Sequence, residues 1–340
     1  MKGLPASLLF VVINLLPAKQ QDECREFVIN GAAQGTTYHI QYFSDSRRVG
    51  EKEVTGILDD VDRSLSLYRA NSTINNFNNS VRGVALDRHL KFVIEKALAV
   101  SRASEGIFDA TVFPLVSAWG YGVKPGQTAP DFREVQQLMA CVGFGKLTLT
   151  SDSLVKSFPC VKIDLDGIAQ GYSVDLIAAM LERHHIANYL VELGGEIRVK
   201  GSKPADHTEF LVGVESPGSE RGDSIAMKII IGDRAVTTSG IYRKSRIEGK
   251  RRISHLIDPR TGYPIQNEMI SATVVARDAI TADGYDNVLM GLGLEKAKAF
   301  LAGHSELEAA LFYASSGSVV NCWTTAGFLK LVQNNGTDAH

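Results

Sequence analysis

Apolar residues recur at helical spacing in three places early in the chain. Val54, Ile57, Leu58, Val61 and Leu65 predict a helix over 51–66, and Leu90, Ile94, Ala97, Leu98 and Ser101 predict one over 87–103. Phe132, Val135, Leu138 and Met139 mark a third. Residues 36–43 read as a strand, and 146–150 with 154–157 read as a hairpin across Ser151-Asp152. The pattern then shifts. After a short apolar run at 161–163 and a Gly-containing turn, Val174, Ile177, Ala178 and Leu181 predict a helix. Strands are expected at 189–193, 196–200, 210–214, 225–231 and 234–238. Residues 243–247 and 251–256 flank Glu248-Gly249-Lys250 as a further hairpin. A strand at 270–276, a helix over 281–302 and strands at 309–314 and 327–332 complete the series.

Neighbouring strands joined by short turns imply antiparallel sheet, and the helices stand apart from them, so the fold class expected is α+β. No repeat, low-complexity segment or linker divides the chain, and one domain over 25–333 is expected. Ahead of it, Lys2, the apolar run 4–16 and Ala18 before a polar stretch read as a signal peptide over 1–18. That run is short for a membrane span. Export as a soluble protein is therefore expected, with a buried or interfacial N-terminal helix as the competing reading.

Composition narrows the function classes. The 340 residues are 44% hydrophobic and 22% charged, with a net charge of -2, so no electrostatic footprint for nucleic acid or anionic lipid exists. The four cysteines, Cys24, Cys141, Cys160 and Cys322, form no C-x-x-C pair, which leaves zinc and thioredoxin chemistry unsupported. One or two disulfides and free buried thiols both remain open. There is no G-x-G-x-x-G, Walker loop or nucleophile elbow.

Four constellations carry possible chemistry. In Asp164–Asp175 a strand delivers carboxylates to a Gly turn just before a helix, whose N-terminus suits phosphate. The bland alternative is a capped strand–turn–helix. His255 precedes a rigid Asp258-Pro259 and Thr261-Gly262 turn, where a general base would be held, although a lone His is more often structural. Asp283 and Asn287 lie four apart, one face of a helix with two oxygen-bearing side chains, suited to Mg²⁺ or merely to a helix start. In Gly106–Leu115 with Trp119, aromatic and polar groups could line a flavin or adenine pocket, or simply fill a core. The basic stretch 243–252 could meet phosphate, or be a solvated hairpin.

The order of these segments resembles the ApbE family, the FAD:protein FMN transferases. The likeness runs from Gly31–Tyr38 through Ser66–Ser72, Asn76–Asn78, Gly106–Leu115 with Trp119-Gly120, Asp164–Asp175, Glu192–Gly195, Thr238–Gly240 and His255–Gly262 to Ala282-Asp283. The resemblance implies a T-fold-like α+β domain with antiparallel sheets and flanking helices. It implies FAD contacts from Gln34, Tyr68, Ile107, Phe108, Asp109, Asp164, Gln170 and Ile257. It implies Mg²⁺ held by the Gly167 carbonyl, Asp283 and Asn287. His255 would be the base, and Asp164 would act beside it in catalysis. The implied reaction moves FMN from FAD to a Thr or Ser of an acceptor protein and releases AMP. The acceptor would be an exported or membrane-associated redox subunit, at the periplasmic or outer face of the inner membrane. A Mg²⁺-dependent FAD pyrophosphatase and a non-catalytic FAD-binding protein are the alternatives. The chain departs from the family pattern at Asp166 (usually small), Gln170 (commonly Lys or Glu), Asn287 (commonly Thr) and Glu196 (usually smaller).

Overall fold

The computed structural model describes residues 24–123, 129–204, 208–217, 224–241, 245–248, 251–315 and 319–333. The expected signal peptide lies outside them. In chain order the first half holds β1 (Arg25–Ala33), β2 (Thr36–Ser44), α1 (Glu51–Leu65), α2 (Thr73–Asn79), β3 (Gly83–Ala85), α3 (Arg88–Ala103), α4 (Phe113–Ala118), α5 (Phe132–Met139), β4 (Leu147–Leu149), β5 (Ser153–Lys156) and α6 (Ala169–Arg183). There follow β6 (Asn188–Leu193), β7 (Glu196–Lys200), β8 (Ser202–Lys203), β9 (Thr208–Glu209), β10 (Leu211–Glu215), β11 (Ile225–Ile230), β12 (Ala235–Gly240), β13 (Ser245–Glu248), β14 (Arg251–Ser254), β15 (Met269–Ala276), α7 (Ala279–Leu292), α8 (Leu294–Ala302), β16 (Glu308–Ala314), β17 (Val320–Thr324) and α9 (Ala326–Leu331).

An eight-stranded sheet, ordered β1-β2-β6-β7-β12-β15-β16-β17, organises the molecule. Its strand pairs are antiparallel throughout. Side chains alternate between the faces, as the pleat requires. One face packs on helices: Ile40, Tyr189 and Val191 meet Val174, Ile177 and Leu181 of α6, while Ala272 and Val274 meet Ala282, Leu289 and Met290 of α7. The other face carries Val199, Val236, Val275 and Phe312, covered by β10, β11 and Phe328 of α9. A helical layer of α1, α2 and α3 with the β3-β5-β4 meander shares a core with the 161–168 segment. No helix among the described residues is long and apolar enough to cross a membrane.

Two sequence expectations are corrected. The helix over 281–302 is two helices, because Gly293 sits at φ +74 between α7 and α8, a conformation glycine adopts without strain. The strand over 327–332 is helix α9: the Thr325 side chain accepts from Phe328 N and starts a helix that buries only Phe328. Edge strands β1 and β17 went unpredicted, since their exposed positions blur the apolar alternation. Cys141 and Cys160 form a disulfide, while Cys24 and Cys322 are free and exposed.

Helices α6 and α7 approach so closely that a Cβ on Gly171 would lie 2.4 Å from the Ala279 carbonyl oxygen and 2.9 Å from Asp283 Cβ. Gly171→Ala must separate the helices, and overpacking of this kind costs about 1–3 kcal/mol. Urea denaturation should show that loss; an unchanged midpoint would mean the helices are free to shift.

Asp175 of α6 accepts hydrogen bonds from the Ala279 and Ile280 amides, both at 2.9 Å, and so ties α6 to the start of α7. Burial raises its carboxyl from 3.8 to about 6, against the opposing pull of those amides. A carboxyl raised in the folded state takes up a proton on folding. Its contribution is present below pH 3.8 and is lost as pH rises through about 6. Across that window wild type should lose stability relative to Asp175→Asn, measured as the difference in melting temperature. Parallel pH profiles would contradict the assignment.

Candidate active site

The turn at Asp164 is held from beneath. Asn78 of α2 clamps Ile163, donating to its carbonyl at 2.9 Å and accepting from its amide at 2.7 Å. Buried Lys156 donates to the Phe77 and Val161 carbonyls, each at 2.9 Å, with its ammonium over the Phe77 ring. Asp164 N donates to the Ala110 carbonyl, and the Asp164 carboxylate accepts from Asp166 N at 2.8 Å, closing the turn. Tyr68 stands beside it: its hydroxyl is raised by burial and then by the charges of Asp166 and Asp164, although the residue is 68% exposed.

Helix α6 begins directly after this turn without a side-chain cap. Its start does not simply await a phosphate. Gly171 N donates to Asp283 Oδ2 at 2.9 Å, so a carboxylate from α7 occupies this part of the helix N-terminus. That contact brings the Asp283–Asn287 face of α7 to the Asp164 turn. Asn287 Nδ2 donates to the Gly167 carbonyl at 3.3 Å and to the Asp283 carbonyl at 3.0 Å. Ser239 of β12 donates to Asn287 Oδ1 at 3.2 Å, and Thr237, two residues earlier on the same face, donates to Asp286 Oδ2 at 2.8 Å. Strand alternation over β12 was the sequence signal for Thr237 and Ser239.

Acidic side chains cluster beneath this point. Burial raises the Asp283 carboxyl well above the usual range, and the charge of Glu196 adds to it. Burial does the same to Asp286, with the charge of Asp283 next. Asp286 Oδ1 is buried without a hydrogen-bond partner. Among the described residues no group of three or more His, Cys, Asp and Glu is spaced to hold a metal. The Gly167, Asp283 and Asn287 set is of another kind: one carboxylate, an amide and a carbonyl, with under-compensated buried charge behind them. That combination fits a hard divalent cation, which accepts few protein oxygens. Asn287 would turn its amide to offer oxygen.

The remaining expected residues fall into three groups. Gln34, at φ +52 on the β1–β2 tip, donates to Asp62 Oδ1 and Ser173 Oγ, both at 3.1 Å, so its amide serves the fold. Gln170 lies at the β6–β7 turn, where a Cβ on Gly194 would sit 2.8 Å from its Nε2. Gly194 also has φ +65, so both space and backbone demand glycine there. Of Ile107, Phe108 and Asp109, only Phe108 keeps exposed surface, with its ring edge against Gly167. Ile107 is core, and Asp109 accepts from Thr111 N, Thr111 Oγ1 and Phe144 N.

The His255 and Tyr121 rings meet edge-to-face, their centroids 6.3 Å apart. Buried Ile257 packs with Leu115, Trp119 and Val135. The turn beyond is fixed by Asp258 N to the Tyr263 carbonyl at 2.9 Å, and Trp119 Nε1 donates to the Gly262 carbonyl at 2.8 Å. The fold thus gathers Tyr68, Phe108, Asp164, Gly167, Gln170, Asp283 and Asn287 around the start of α6, and mounts His255 on a turn anchored elsewhere.

Residues 34–311 match the model of the ApbE family. The chain is 34% identical over 310 residues to a protein of Haemophilus influenzae named FAD:protein FMN transferase, covering 87% of this chain and 89% of that one. It is 35% identical to the FAD:protein FMN transferase of Vibrio cholerae, covering 86% of this chain and 88% of that one. Among solved structures it resembles the flavin transferase ApbE of Vibrio cholerae, with a TM-score of 0.82 and 31% identity over 91% of this chain and all of that one. The apo flavinyl transferase ApbE of Pseudomonas stutzeri gives a TM-score of 0.81 at 29% identity, over 91% of this chain and 97% of that one. The fold, the ordered motifs and these likenesses agree: the chain belongs to the ApbE family, as an enzyme of the transferase class.

Proposed function

We propose that this enzyme transfers FMN from FAD to a Thr or Ser hydroxyl of a separate acceptor protein, releasing AMP, and that it requires Mg²⁺. The observation that carries this reading is the convergence of the Gly167 carbonyl, the Asn287 amide and the buried Asp283 carboxylate beside the Asp164 turn. The relatives named for FMN transfer from FAD to protein support the substrates.

Gly167, Asp283 and Asn287 would hold the ion, which when bound supplies charge neutralisation at the pyrophosphate oxygens. The chain's own residues do the rest. Asp164, Tyr68, Phe108 and Gln170 orient FAD around the turn, while Ile257 and its anchored loop form the opposite wall. His255 takes the proton of the acceptor hydroxyl. That oxygen bonds to the phosphorus of the FMN half, the bond from this phosphorus to the bridging oxygen breaks, and AMP departs with the electron pair. Gln170 makes its contact neutral where the family commonly places a charge. Fixed geometry and charge stabilisation provide most of the acceleration.

We place the enzyme outside the cytoplasm, at the periplasmic side of the inner membrane, acting on exported or membrane-embedded redox subunits. The Cys141–Cys160 disulfide supports an oxidising compartment.

Purified enzyme incubated with FAD, Mg²⁺ and a domain bearing the family's Thr-containing target motif should add the mass of an FMN phosphoester to that domain and release AMP. FMN and AMP free in solution, with the domain unmodified, would instead identify a hydrolase. His255→Ala should slow transfer about 10²–10⁴-fold with FAD affinity retained; undiminished transfer would remove His255 from the mechanism. Asp283→Ala should sharply raise the Mg²⁺ concentration needed for half-maximal rate, and an unaltered Mg²⁺ dependence would displace the metal site.

A further inference from the structure

Tyr68 presents an exposed ring from a turn whose backbone is tied down on both sides. Leu67, before it, is buried in the core that Ile74 and Phe77 of α2 share. Arg69, after it, pairs with the Asp59 carboxylate of α1 at 2.8 Å and donates to the Asp59 carbonyl at 3.2 Å. Ser72 joins the ends of the turn: its hydroxyl donates to the Ser66 carbonyl at 2.7 Å and its amide to the Arg69 carbonyl at 3.1 Å. Asn75, in the first turn of α2, reaches across the middle. Its side-chain amide donates to the Leu67 carbonyl at 2.9 Å and to the Arg69 carbonyl at 2.8 Å, with the Ser66 carbonyl farther off at 3.4 Å. A primary amide has two N–H donors, so the two short contacts use both. One side chain thus fixes the carbonyl on each side of Tyr68. The ring so held adjoins the Asp164 turn: burial, and then the charges of Asp166 and Asp164, raise its hydroxyl.

We propose that Asn75 is a positioning residue for FAD, holding the Tyr68 ring in place beside the Asp164 turn before the substrate arrives. The inference rests on the placement of Tyr68 among the FAD contacts in the flavin-transfer reading above, and adds a residue which that reading does not use. A ring that is 68% exposed takes little of its placement from packing, so its backbone must supply it. Ordering a loose turn when a ligand binds weakens binding, and a turn ordered in advance avoids that cost. Helix α2 does not need the Asn75 side chain. Ser72 caps the helix by accepting from the backbone amide of residue 75 at 3.3 Å, which any residue but proline supplies. The Asn75 amide therefore serves the Tyr68 turn and not the helix that carries it.

Asn75→Ala removes both donors and places the best helix former in α2. The dissociation constant for FAD, read by flavin fluorescence without acceptor, and KM for FAD should both rise about three- to tenfold, with kcat for transfer within about twofold of wild type. Asn75→Asp, of the same shape but with no N–H to give, should lose at least as much affinity. In a Tyr68→Ala background Asn75→Ala should leave FAD affinity unaltered, because the ring it positions is gone. Unchanged affinity in Asn75→Ala overturns the assignment. An equal loss in both backgrounds also overturns it, since Asn75 would then brace the loop with no bearing on Tyr68. So does a fall in kcat at constant KM. If the wild-type enzyme binds FAD but leaves the acceptor domain unmodified, the flavin-transfer reading fails, and the affinity cycle still decides for or against Asn75. If it binds no FAD, both fail.

Discussion

Asp283 makes the contact on which the site depends. Its carboxylate reaches from α7 to the Gly171 amide in the first turn of α6, at a point where the helices are too close for any side chain but hydrogen. A buried carboxylate would normally be costly, and burial with the nearby Glu196 does push its proton affinity up. The helix N-terminus compensates it through the Gly171 amide, and the divalent cation proposed above would compensate it further. The same contact sets the spacing of everything else: it brings Asn287 to the Gly167 carbonyl, and the Asp164 turn to the α7 face. Thr237 and Ser239 then fix α7 against the central sheet through Asp286 and Asn287.

This arrangement explains why the chemistry is distributed over distant segments. Asp164 and Gly167 precede α6, Asp283 and Asn287 lie on α7, and His255 follows a hairpin that leaves the sheet at Gly240. Each piece is stiffened locally: Asn78 and Lys156 under the Asp164 turn, Trp119 and the Asp258 loop near His255. A transfer between two large substrates needs such division. In the reaction proposed, one wall would hold FAD while another would carry the base.

Much of the fold was legible from periodicity because most elements bury one face. The helices expected at 51–66 and 87–103 appear as Glu51–Leu65 and Arg88–Ala103. Reading failed where local backbone or edge position decided the outcome, as at Gly293, at the Thr325 cap and in β1 and β17. In the site, the Asp164 and Asp283 segments were legible as motifs. Their direct link was not, because a contact between residues 112 positions apart leaves no local pattern. Asp109 and Gln34 show the converse. Their positions stand out in sequence, yet their side chains are engaged by Thr111 and Phe144 and by Asp62 and Ser173. Asp286 became recognisable only once α7 was seen packed against β12.

The claim that α6 and α7 together form a cation site admits a direct measurement. Crystals grown with FAD and Mn²⁺ in place of Mg²⁺ should give an anomalous difference peak between the Gly167 carbonyl, the Asp283 carboxylate and Asn287, with the Asn287 amide oxygen turned towards it. A peak elsewhere, or none there while FAD is bound, would contradict the account.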